Sequence, residues 1–428
     1  MGSKFSRSDL KKKDNLKVVV AHPAQQHSYH LARAIKKDSA LFGYATTIYF
    51  KQRRLLYRLL NLLLDDENAR RMRGRQSSFI EPKLKQFNEI LGLFFLFSGR
   101  ILRSKALVGA IGDLLGRCFG RSVAKWVNCN DIDILICFDT YALSAFKGVS
   151  NGTTLRVLDM SSIPVPSICY LIDQLSTKSL PARQSLKMTR AIYSDAVVAS
   201  AEQELELADY FIAASTFTKR QLVDVGVAPE RIFVVPYGVD LLRYRPKEEK
   251  KRESREITLL FVGRMTAVKG FHVLIEALSR FPSETFRCLL VGHPQNSDDE
   301  IRKLSDSFEF IGPVVNSEMP DIYRRADVLI APSLYDGFGL AVLEAMASGL
   351  AVICSRNLGA SDLVRDGETG FLTNPNSADD LYTCLSDMID NPKMVSNMKV
   401  KARLEAEKYS WDVYDQSIAT ILRKMKSL

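Results

Sequence analysis

The chain has 428 residues, of which 46% are hydrophobic, and this length is sufficient for two or three ordinary domain cores. No apolar run reaches the roughly 18 residues of a membrane-spanning helix, and the seven cysteines, which form no Cys-x-x-Cys pair, favour reduced thiols in a cytoplasmic protein over a zinc site. The net charge of +10 is concentrated in residues 1–130, where about 25 basic residues outnumber about 9 acidic ones, so this part is expected to meet an anionic partner.

The first half of the chain alternates between short apolar runs and helical segments. A helix is predicted from about Ser28 to Lys37, and strands are predicted at LKVVVAHP, DIDILICFD, TTLRVLDM, ADYFIAAS and RIFVVPYG. Short runs rich in Val, Ile and Leu that are separated by helices indicate a parallel sheet covered on both faces. The acidic triplet DID, residues 131–133, begins one of these strands and is interpreted as structural.

The loop after the first strand, AHPAQQHSYHLARAI, is rich in histidine. We interpret His22, Gln26, His27 and His30 as candidate contacts to an acceptor or a phosphate. His27 and His30 are three residues apart at a helix start, so they share a face. A polar helix start with capping contacts is the alternative. A metal site is a weaker one, because no nearby carboxylate or cysteine completes a ligand set.

Two segments of the basic half resemble helices that lie on a membrane surface. FKQRRLLYRLLNLLL, residues 50–64, has leucines on one side and Lys51, Arg54 and Arg58 on the other. Residues 89–116 contain short apolar runs separated by basic residues, and the segment is too charged to span a bilayer. The segments predict a peripheral patch on an anionic membrane, and core helices with solvated outer faces are the alternative. No nucleic-acid-binding module is recognisable.

The segment LLRYRPKEEKKRESRE, residues 241–256, is charged and has no apolar period, so we interpret it as a linker. After it the alternating pattern begins again, with predicted strands at ITLLFVG, FRCLLVG, SFEFIG, DVLIAPS and LAVICS. The sequence therefore predicts an α/β fold with two doubly wound domains that face each other across a cleft. In open sheets of this kind, ligands bind at the carboxyl ends of the strands.

The segment SLYDGFGLAVLEAMASG places two acids, Asp336 and Glu344, around a small turn. Gly337 and Gly339 allow the backbone to approach a ligand closely, and a helix is predicted from Leu340 to Ser348. The free N–H groups at this helix start suit a phosphate. The two carboxylates are predicted to hold hydroxyl groups on either side of it.

A basic loop in the same half supports this interpretation. Arg264 and Lys269 follow the strand ITLLFVG, and two cations at such a position would neutralise a diphosphate leaving group. The alternative is that they are ordinary solvated charges. Their occurrence together with the acidic turn favours the functional interpretation.

These motifs together resemble the family 4 retaining glycosyltransferases of the GT-B fold. The resemblance covers roughly residues 195–428 and rests on DGFGLAVLEAMASG, FVGRMTAVKG, LADYFIAASTFTKRQLVDVGVAPERIFVVPYGVD, DLVRDGETGFLTNP and YSWDVYDQSIATIL. It implies an acceptor-side domain at 1–240, the linker at 241–256 and a nucleotide-sugar-binding domain at 257–408. Residues 409–428 would form a helix that crosses back to the first domain. The segment DLVRDGETGFLTNP is similar to the loop after the donor site in the family.

The resemblance also implies roles for individual residues. Glu344 would hold the ribose hydroxyls of a nucleotide sugar, and Asp336 would contact the donor sugar, although the family usually has Glu at that position. Lys269 and Arg264 would complete the catalytic group, beside the donor-binding residues Gly263, Gly337, Phe338, Gly339 and Leu340. Catalysis would be mainly positioning and charge stabilisation, with front-face attack, and neither a metal nor another cofactor is expected.

The expected function is therefore transfer of a hexose-type sugar from a nucleotide-sugar donor to a glycan or lipid-linked acceptor. The resemblance places this reaction in cell-surface polysaccharide or glycolipid synthesis, on the cytoplasmic face of a membrane. Three alternatives remain open: a sugar-nucleotide epimerase of the same fold, a non-catalytic nucleotide-sugar-binding relative, and a dehydrogenase. The dehydrogenase is suggested by Gly337, Gly339 and Val342, which come close to the dinucleotide fingerprint but lack its third glycine.

Overall fold

A computed structural model of the chain describes residues 16–24, 27–50, 79–101, 105–246, 257–294 and 306–427. Gln26 and residues 51–64 of the predicted amphipathic segment lie outside these described residues. Where the structure describes the chain, none of its helices combines the length and the apolar character that crossing a membrane requires.

The first sheet has seven strands in the order β3-β2-β1-β4-β5-β6-β7. Its strands are β1 (Val18–Ala21), β2 (Leu41–Thr46), β3 (Leu84–Gln86), β4 (Ile134–Phe138), β5 (Leu155–Met160), β6 (Tyr210–Ala213) and β7 (Ile232–Val234). β1 pairs in parallel with β2 on one side and with β4 on the other. The strand order therefore reverses between β1 and β4, and this reversal is the usual ligand position in a doubly wound sheet.

The second sheet has six strands in the order β10-β9-β8-β11-β12-β13. Its strands are β8 (Ile257–Val262), β9 (Phe286–Val291), β10 (Phe308–Gly312), β11 (Val328–Ala331), β12 (Ala351–Ser355) and β13 (Gly370–Thr373). β8 pairs in parallel with both β9 and β11, so the order reverses between β8 and β11. The loops after these two strands carry the residues that the sequence predicts to bind the donor.

Helices alternate with the strands in both halves of the chain. In the described residues they are α1 (Ser28–Lys37), α2 (Glu89–Ile101), α3 (Lys105–Asn128), α4 (Leu143–Gly148), α5 (Val165–Gln174), α6 (Leu180–Arg190), α7 (Asp195–Leu207), α8 (Thr216–Asp224), α9 (Phe271–Leu278), α10 (Met319–Tyr323), α11 (Leu340–Ala347), α12 (Ala378–Asp390), α13 (Pro392–Ala406) and α14 (Trp411–Ser427). The predicted helix from Ser28 to Lys37 is confirmed, and the helix predicted from Leu340 ends one residue earlier than expected.

The second sheet has a dense apolar core against the helices that cover it. Val, Leu, Ile and Phe side chains of β8, β9, β11 and β12 pack with those of α9, α12 and α13. This core includes four fully buried side chains, Leu259, Leu274, Ile353 and Leu381. Burial of one aliphatic side chain contributes about 1.5–3 kcal/mol to the free energy of folding. A core of this size therefore holds the ends of β8 and β11 in fixed positions.

The structure corrects the interpretation of residues 362–375 as a loop. This segment contains the strand β13, which pairs in parallel with β12 and ends the second sheet. A Cβ on Gly370 would lie 2.0 Å from the Val352 carbonyl oxygen, so this position accepts no larger residue. In the sequence, a glycine among turn residues predicts a loop. In the structure, Gly370 instead allows two strands to pair closely.

Contacts within the chain define two compact units. The first comprises residues 1–159, 203–211 and 415–428, and the second comprises 160–202 and 212–414. The domain boundaries inferred from the resemblance, at 240 and 257, stay a prediction. Within the first unit, the Asp415 carboxylate at the end of the chain forms ion pairs with Arg33 at 3.2 Å and Lys37 at 2.7 Å.

Candidate active site

The loops after β8 and β11 meet at the reversal point of the second sheet. The Lys269 amine from the first loop forms an ion pair with the Asp336 carboxylate from the second. Gly270 makes this approach possible, because its φ is +71° and a Cβ there would lie 1.9 Å from the Pro332 carbonyl oxygen. Two of the predicted catalytic residues are thus brought together by the close packing of the two loops.

Arg264 occupies a different environment from Lys269. It follows Gly263, whose φ is +145°, and its side chain is exposed. Its charge lies near enough to Tyr335 to oppose the burial that raises the pKa of that phenol. Among the described residues it forms no ion pair, so its guanidinium remains available to an anion at the end of β8.

The backbone of the turn between Asp336 and the helix α11 is fixed by contacts with neighbouring segments. The Gly337 carbonyl oxygen accepts hydrogen bonds from the Ser215 hydroxyl at 2.8 Å and the Thr218 hydroxyl at 3.0 Å. A Cβ on Gly337 would lie 2.6 Å from the Ser161 carbonyl oxygen, so the backbone has no room to move in that direction. These contacts fix the turn before any ligand binds.

Phe338 and Gly339 complete the turn and begin the helix. The Phe338 ring is buried edge-on against Tyr237, with ring centroids 5.1 Å apart. Gly339 is left-handed, with φ of +84°, and precedes the first helical residue, Leu340. The first amides of α11 lack helical partners, so this end is suited to a phosphate, as the sequence predicts.

Glu344 lies on α11 in a pocket of tyrosine side chains. The Tyr323 hydroxyl donates a hydrogen bond to Glu344 Oε2 at 2.8 Å, while the nearby Tyr244 hydroxyl donates to Asn316 Oδ1 at 3.1 Å. Burial raises the pKa of Glu344, while the two hydroxyls and the Arg243 charge oppose the rise. The two predicted acids, Asp336 and Glu344, therefore have separate partners.

The two tyrosines were not among the residues predicted from the sequence. Tyr244 lies in the segment interpreted as a linker, yet its side chain is buried. Tyr323 is fully buried at the end of α10, and its ring contacts the Tyr244 ring edge-on at 5.8 Å. The available signals were an aromatic residue within a charged segment and a tyrosine five residues before the start of the strand β11.

The histidines of the first unit lie at the reversal point between β1 and β4. His22 is buried, its Nδ1 accepts a hydrogen bond from the Ala24 amide at 2.9 Å, and its ring contacts Phe138 at 4.8 Å. The Nε2 atom of His27 lies 3.0 Å from the Asp159 carboxylate, and its ring also contacts Phe138. The structure therefore brings His22 and His27 together around one aromatic ring.

His30 lies one turn further along α1. Burial, followed by the charges of Arg33 and His27, lowers its pKa to about 4, so the ring is neutral at physiological pH. No group of three potential metal ligands occurs among the residues that the structure describes. Asp159, which holds His27, was not predicted, although a carboxylate at the end of an apolar strand was an available signal.

Glu204 stabilises the loop that follows β4 in the first sheet, and the sequence did not predict this role. This buried carboxylate accepts hydrogen bonds from the backbone amides of Thr140, Ala142 and Leu143, at 2.8 to 2.9 Å. Burial, opposed by these bonds, raises its pKa to about 7. It stabilises the turn after β4, in which Thr140 has a positive φ of 69°. Its position within an acidic helix gave no sequence signal of burial.

Comparisons with known proteins find a family match in the part of the chain that contains this site. Residues 244–405 match the family described as glycosyl transferases group 1. The D-inositol 3-phosphate glycosyltransferase of Rhodococcus jostii (strain RHA1) is 33% identical over 232 residues, which cover 49% of this chain and 51% of that protein. The chain thus spans about half the length of the first curated relatives it matches.

Solved structures resemble almost the whole chain. The sucrose-phosphate synthase of Thermosynechococcus elongatus has a TM-score of 0.69 at 17% identity, over 96% of this chain and 99% of that one. Anabaena HepE in complex with UDP-glucose has a TM-score of 0.62 at 17% identity, over 96% of this chain and 100% of that one. At these identities the likeness establishes the fold, and the predicted GT-B class is confirmed. Within this fold, residues 244–405, which contain Lys269, Asp336 and Glu344, are similar in sequence to the glycosyl transferases group 1 family.

Proposed function

We propose that this protein is a retaining glycosyltransferase that moves a hexose-type sugar from a nucleotide sugar to a glycan or lipid-linked acceptor. The observation that carries the proposal is the arrangement at the reversal point of the second sheet. A fixed glycine turn, a helix start, a lysine and a partly buried glutamate all belong to the matched region. The UDP-glucose complex of the structurally similar Anabaena HepE supports a nucleoside diphosphate sugar as donor.

In this proposal each residue has a distinct role toward the donor. Glu344 accepts hydrogen bonds from the ribose hydroxyls, and the amides of residues 337–340 hold the phosphates. Lys269 and Arg264 stabilise the negative charge that develops on the leaving diphosphate. Asp336, once its lysine turns toward the diphosphate, contacts hydroxyls of the donor sugar.

The proposed chemistry needs no protein nucleophile. The acceptor oxygen bonds to the anomeric carbon on the face from which the diphosphate departs, and the carbon–oxygen bond to the phosphate breaks. The acceptor proton passes to an oxygen of the leaving phosphate. The protein contributes positioning and charge stabilisation, which together lower the barrier.

The acceptor side of the proposal involves a membrane. Ile90 and Phe94 on α2 are 83% and 52% exposed, and their spacing of four residues puts them on the same face of the helix. Leu93, the neighbour of Phe94 in sequence, packs in a buried cluster with Ile48 and Phe50. We interpret the exposed face, within the basic part of the chain, as a peripheral contact with the anionic cytoplasmic leaflet. There the enzyme would act in polysaccharide or glycolipid synthesis.

The test of the function is a screen followed by a turnover assay. UDP-, GDP- and ADP-sugars are screened by thermal shift, and the best binder is incubated with and without acceptors. D-inositol 3-phosphate is the first acceptor, because the curated relatives carry it in their name. Acceptor-dependent release of the nucleoside diphosphate, with retained anomeric configuration in the product, supports the proposal.

The other outcomes of this assay separate the alternatives. Conversion of the donor sugar without any acceptor would identify an epimerase. Binding without turnover under all conditions would identify a non-catalytic relative. Binding of NAD in preference to every nucleotide sugar would favour a dehydrogenase.

A further inference from the structure

We infer that Tyr323, with the Tyr244 ring packed against it, is a positioning residue that holds the Glu344 carboxylate in the orientation in which it binds a ribose. The inference rests on the proposed function, in which Glu344 receives the ribose hydroxyls of the donor. Neither tyrosine is assigned to the donor in that proposal. Their role is to act through the carboxylate rather than to touch the nucleotide.

The first step of the argument concerns Tyr323. Its side chain is fully buried, and its hydroxyl lies 2.8 Å from Glu344 Oε2. A buried hydroxyl is unfavourable unless it is hydrogen-bonded, so phenylalanine would serve an apolar core better at this position. The hydroxyl is explained by its bond to the carboxylate.

The second step concerns Tyr244, which approaches from another part of the chain. Its hydroxyl donates a hydrogen bond to Asn316 Oδ1 at 3.1 Å, and its ring contacts the Tyr323 ring edge-on, with centroids 5.8 Å apart. Tyr244 therefore limits the movement of the Tyr323 ring and, through it, of the Glu344 carboxylate.

The backbone of Tyr244 is itself anchored to the helix that carries Glu344. Arg403 Nη1 donates to the Tyr244 carbonyl oxygen at 2.8 Å and to the Ala347 carbonyl oxygen at 2.5 Å. Ala347 is the last residue of α11, so the guanidinium joins the tyrosine segment to the helix end. The position of Tyr244 relative to Glu344 is thus set by backbone contacts as well as by its ring.

The bond from Tyr323 leaves the carboxylate able to bind a diol. An ionised carboxylate has about four acceptor sites on its two oxygens, and Tyr323 uses one of them. Because the plane of the carboxylate is fixed, its remaining acceptor sites point in fixed directions. Such an arrangement suits two neighbouring hydroxyl groups. A carboxylate held in this way loses less conformational freedom on binding than a freely rotating one.

The surroundings of Glu344 also affect its protonation. Burial raises its pKa, and the groups that face it and oppose this rise are the Tyr323 and Tyr244 hydroxyls and the Arg243 guanidinium. Removal of one hydroxyl would raise the pKa further. Acidification would then weaken donor binding at a higher pH than in the wild-type protein.

The experiment compares ribose with deoxyribose binding. Calorimetry gives the affinities of UDP, GDP and ADP for the full chain, and the tightest of them is paired with its 2′-deoxy form. We expect the preference of the wild type for the ribose form to fall about tenfold in Tyr323→Phe, the scale of one charge-assisted hydrogen bond. Tyr244→Phe should act in the same direction, and it provides a second variant if the first folds poorly.

Controls separate positioning from general damage. Tyr382→Phe removes a hydroxyl from a tyrosine that packs on Phe281 at 4.6 Å, away from Glu344, and should leave the preference unchanged. In a Glu344→Gln background, Tyr323→Phe should have no further effect on the preference. In Tyr323→Phe and Tyr244→Phe, but not in Tyr382→Phe, the pH at which affinity falls on acidification should rise.

The outcomes distinguish this inference from the proposed function. Binding of the ribose form by the wild type, with unchanged preference and unchanged pH dependence in both tyrosine variants, would overturn the inference alone. Failure of all three diphosphates to bind the wild type would overturn the proposed function and the inference with it.

Discussion

Lys269 and Asp336 form an ion pair at the reversal point of the second sheet, although they are 67 residues apart in sequence. Each comes from a loop that follows one of the two strands at this point, and both were predicted to act on the donor. In this arrangement the lysine charge is compensated by the aspartate. A diphosphate would compete for the same amine, so binding of the donor would release the carboxylate toward the sugar.

We expect Lys269→Met to lower glycosyl transfer at least tenfold, which corresponds to about 1.4 kcal/mol at the barrier. The variant loses a cation that stabilises the leaving diphosphate. Stability should change by less than about 1 kcal/mol, because the ion pair is partly exposed. Steady-state rates and urea unfolding measure the two quantities.

The matched control is Lys399→Met. Lys399 is 33% exposed, against 32% for Lys269, and pairs with Asp327 at the amino end of β11 rather than at the donor side. Its loss should leave transfer unchanged. Equal loss of activity in the two variants would show that the effect of Lys269 is not specific to the site.

Gly337→Ala should displace the turn before α11. The new methyl group would meet the Ser161 carbonyl oxygen at 2.6 Å and Ser162 Cα at 2.7 Å, and both belong to the backbone. Backbone atoms cannot move far to relieve this clash, so we expect the free energy of unfolding to fall by about 1–3 kcal/mol. We also expect the nucleotide sugar to bind more weakly. Gly116→Ala, in open space on α3, should leave binding unchanged and serves as the control. Wild-type binding by Gly337→Ala would mean that the turn does not hold the phosphates.

His27→Ala should weaken use of the acceptor more than binding of the donor. The ring lies at the reversal point of the first sheet, is held by Asp159, and belongs to the first compact unit. The measurement is kcat/KM for the acceptor beside the Kd of the nucleotide sugar. A loss of donor affinity with unchanged dependence on acceptor would contradict the assignment.

The proposed membrane contact predicts a specific effect of two exposed side chains. The protein should sediment with anionic vesicles at low salt and be released at high salt, because each basic residue near the surface contributes about 1 kcal/mol. The double variant Ile90→Ser with Phe94→Ser should reduce this binding. Leu242→Ser, at a residue that is 89% exposed in the second unit, should not. Equal binding to neutral vesicles, or none to anionic ones, would favour a soluble acceptor.

The sequence predicted the parts of the site that depend on local pattern. The helix that begins at Leu340 and the loop that carries Lys269 follow from apolar periodicity, glycine positions and charge, all of which are local signals. The strand β2 was not predicted, because Gly43 lowers its strand propensity. In the structure this glycine leaves room for the Trp126 ring, which would lie 2.4 Å from a Cβ at that position.

The partners of the predicted residues could not be read from the sequence. Tyr244 lies within a charged segment, and Tyr323 is 79 residues further on, yet their rings are in contact and Tyr323 bonds the carboxylate of Glu344. The pairing depends on how β11, α10 and the segment before residue 246 pack together. Likewise, the burial of Glu204 follows from three backbone amides of another loop rather than from its neighbours in sequence.

The central claim is that a nucleotide sugar binds at Glu344 for transfer to an acceptor. It is tested most directly by the rate of acceptor-dependent release of the nucleoside diphosphate from the best-binding nucleotide sugar, measured for the wild type and for Glu344→Ala. We predict that the substitution lowers this rate at least tenfold while the protein remains folded, because the ribose loses its anchor. A near-normal rate in the folded variant would contradict the claim.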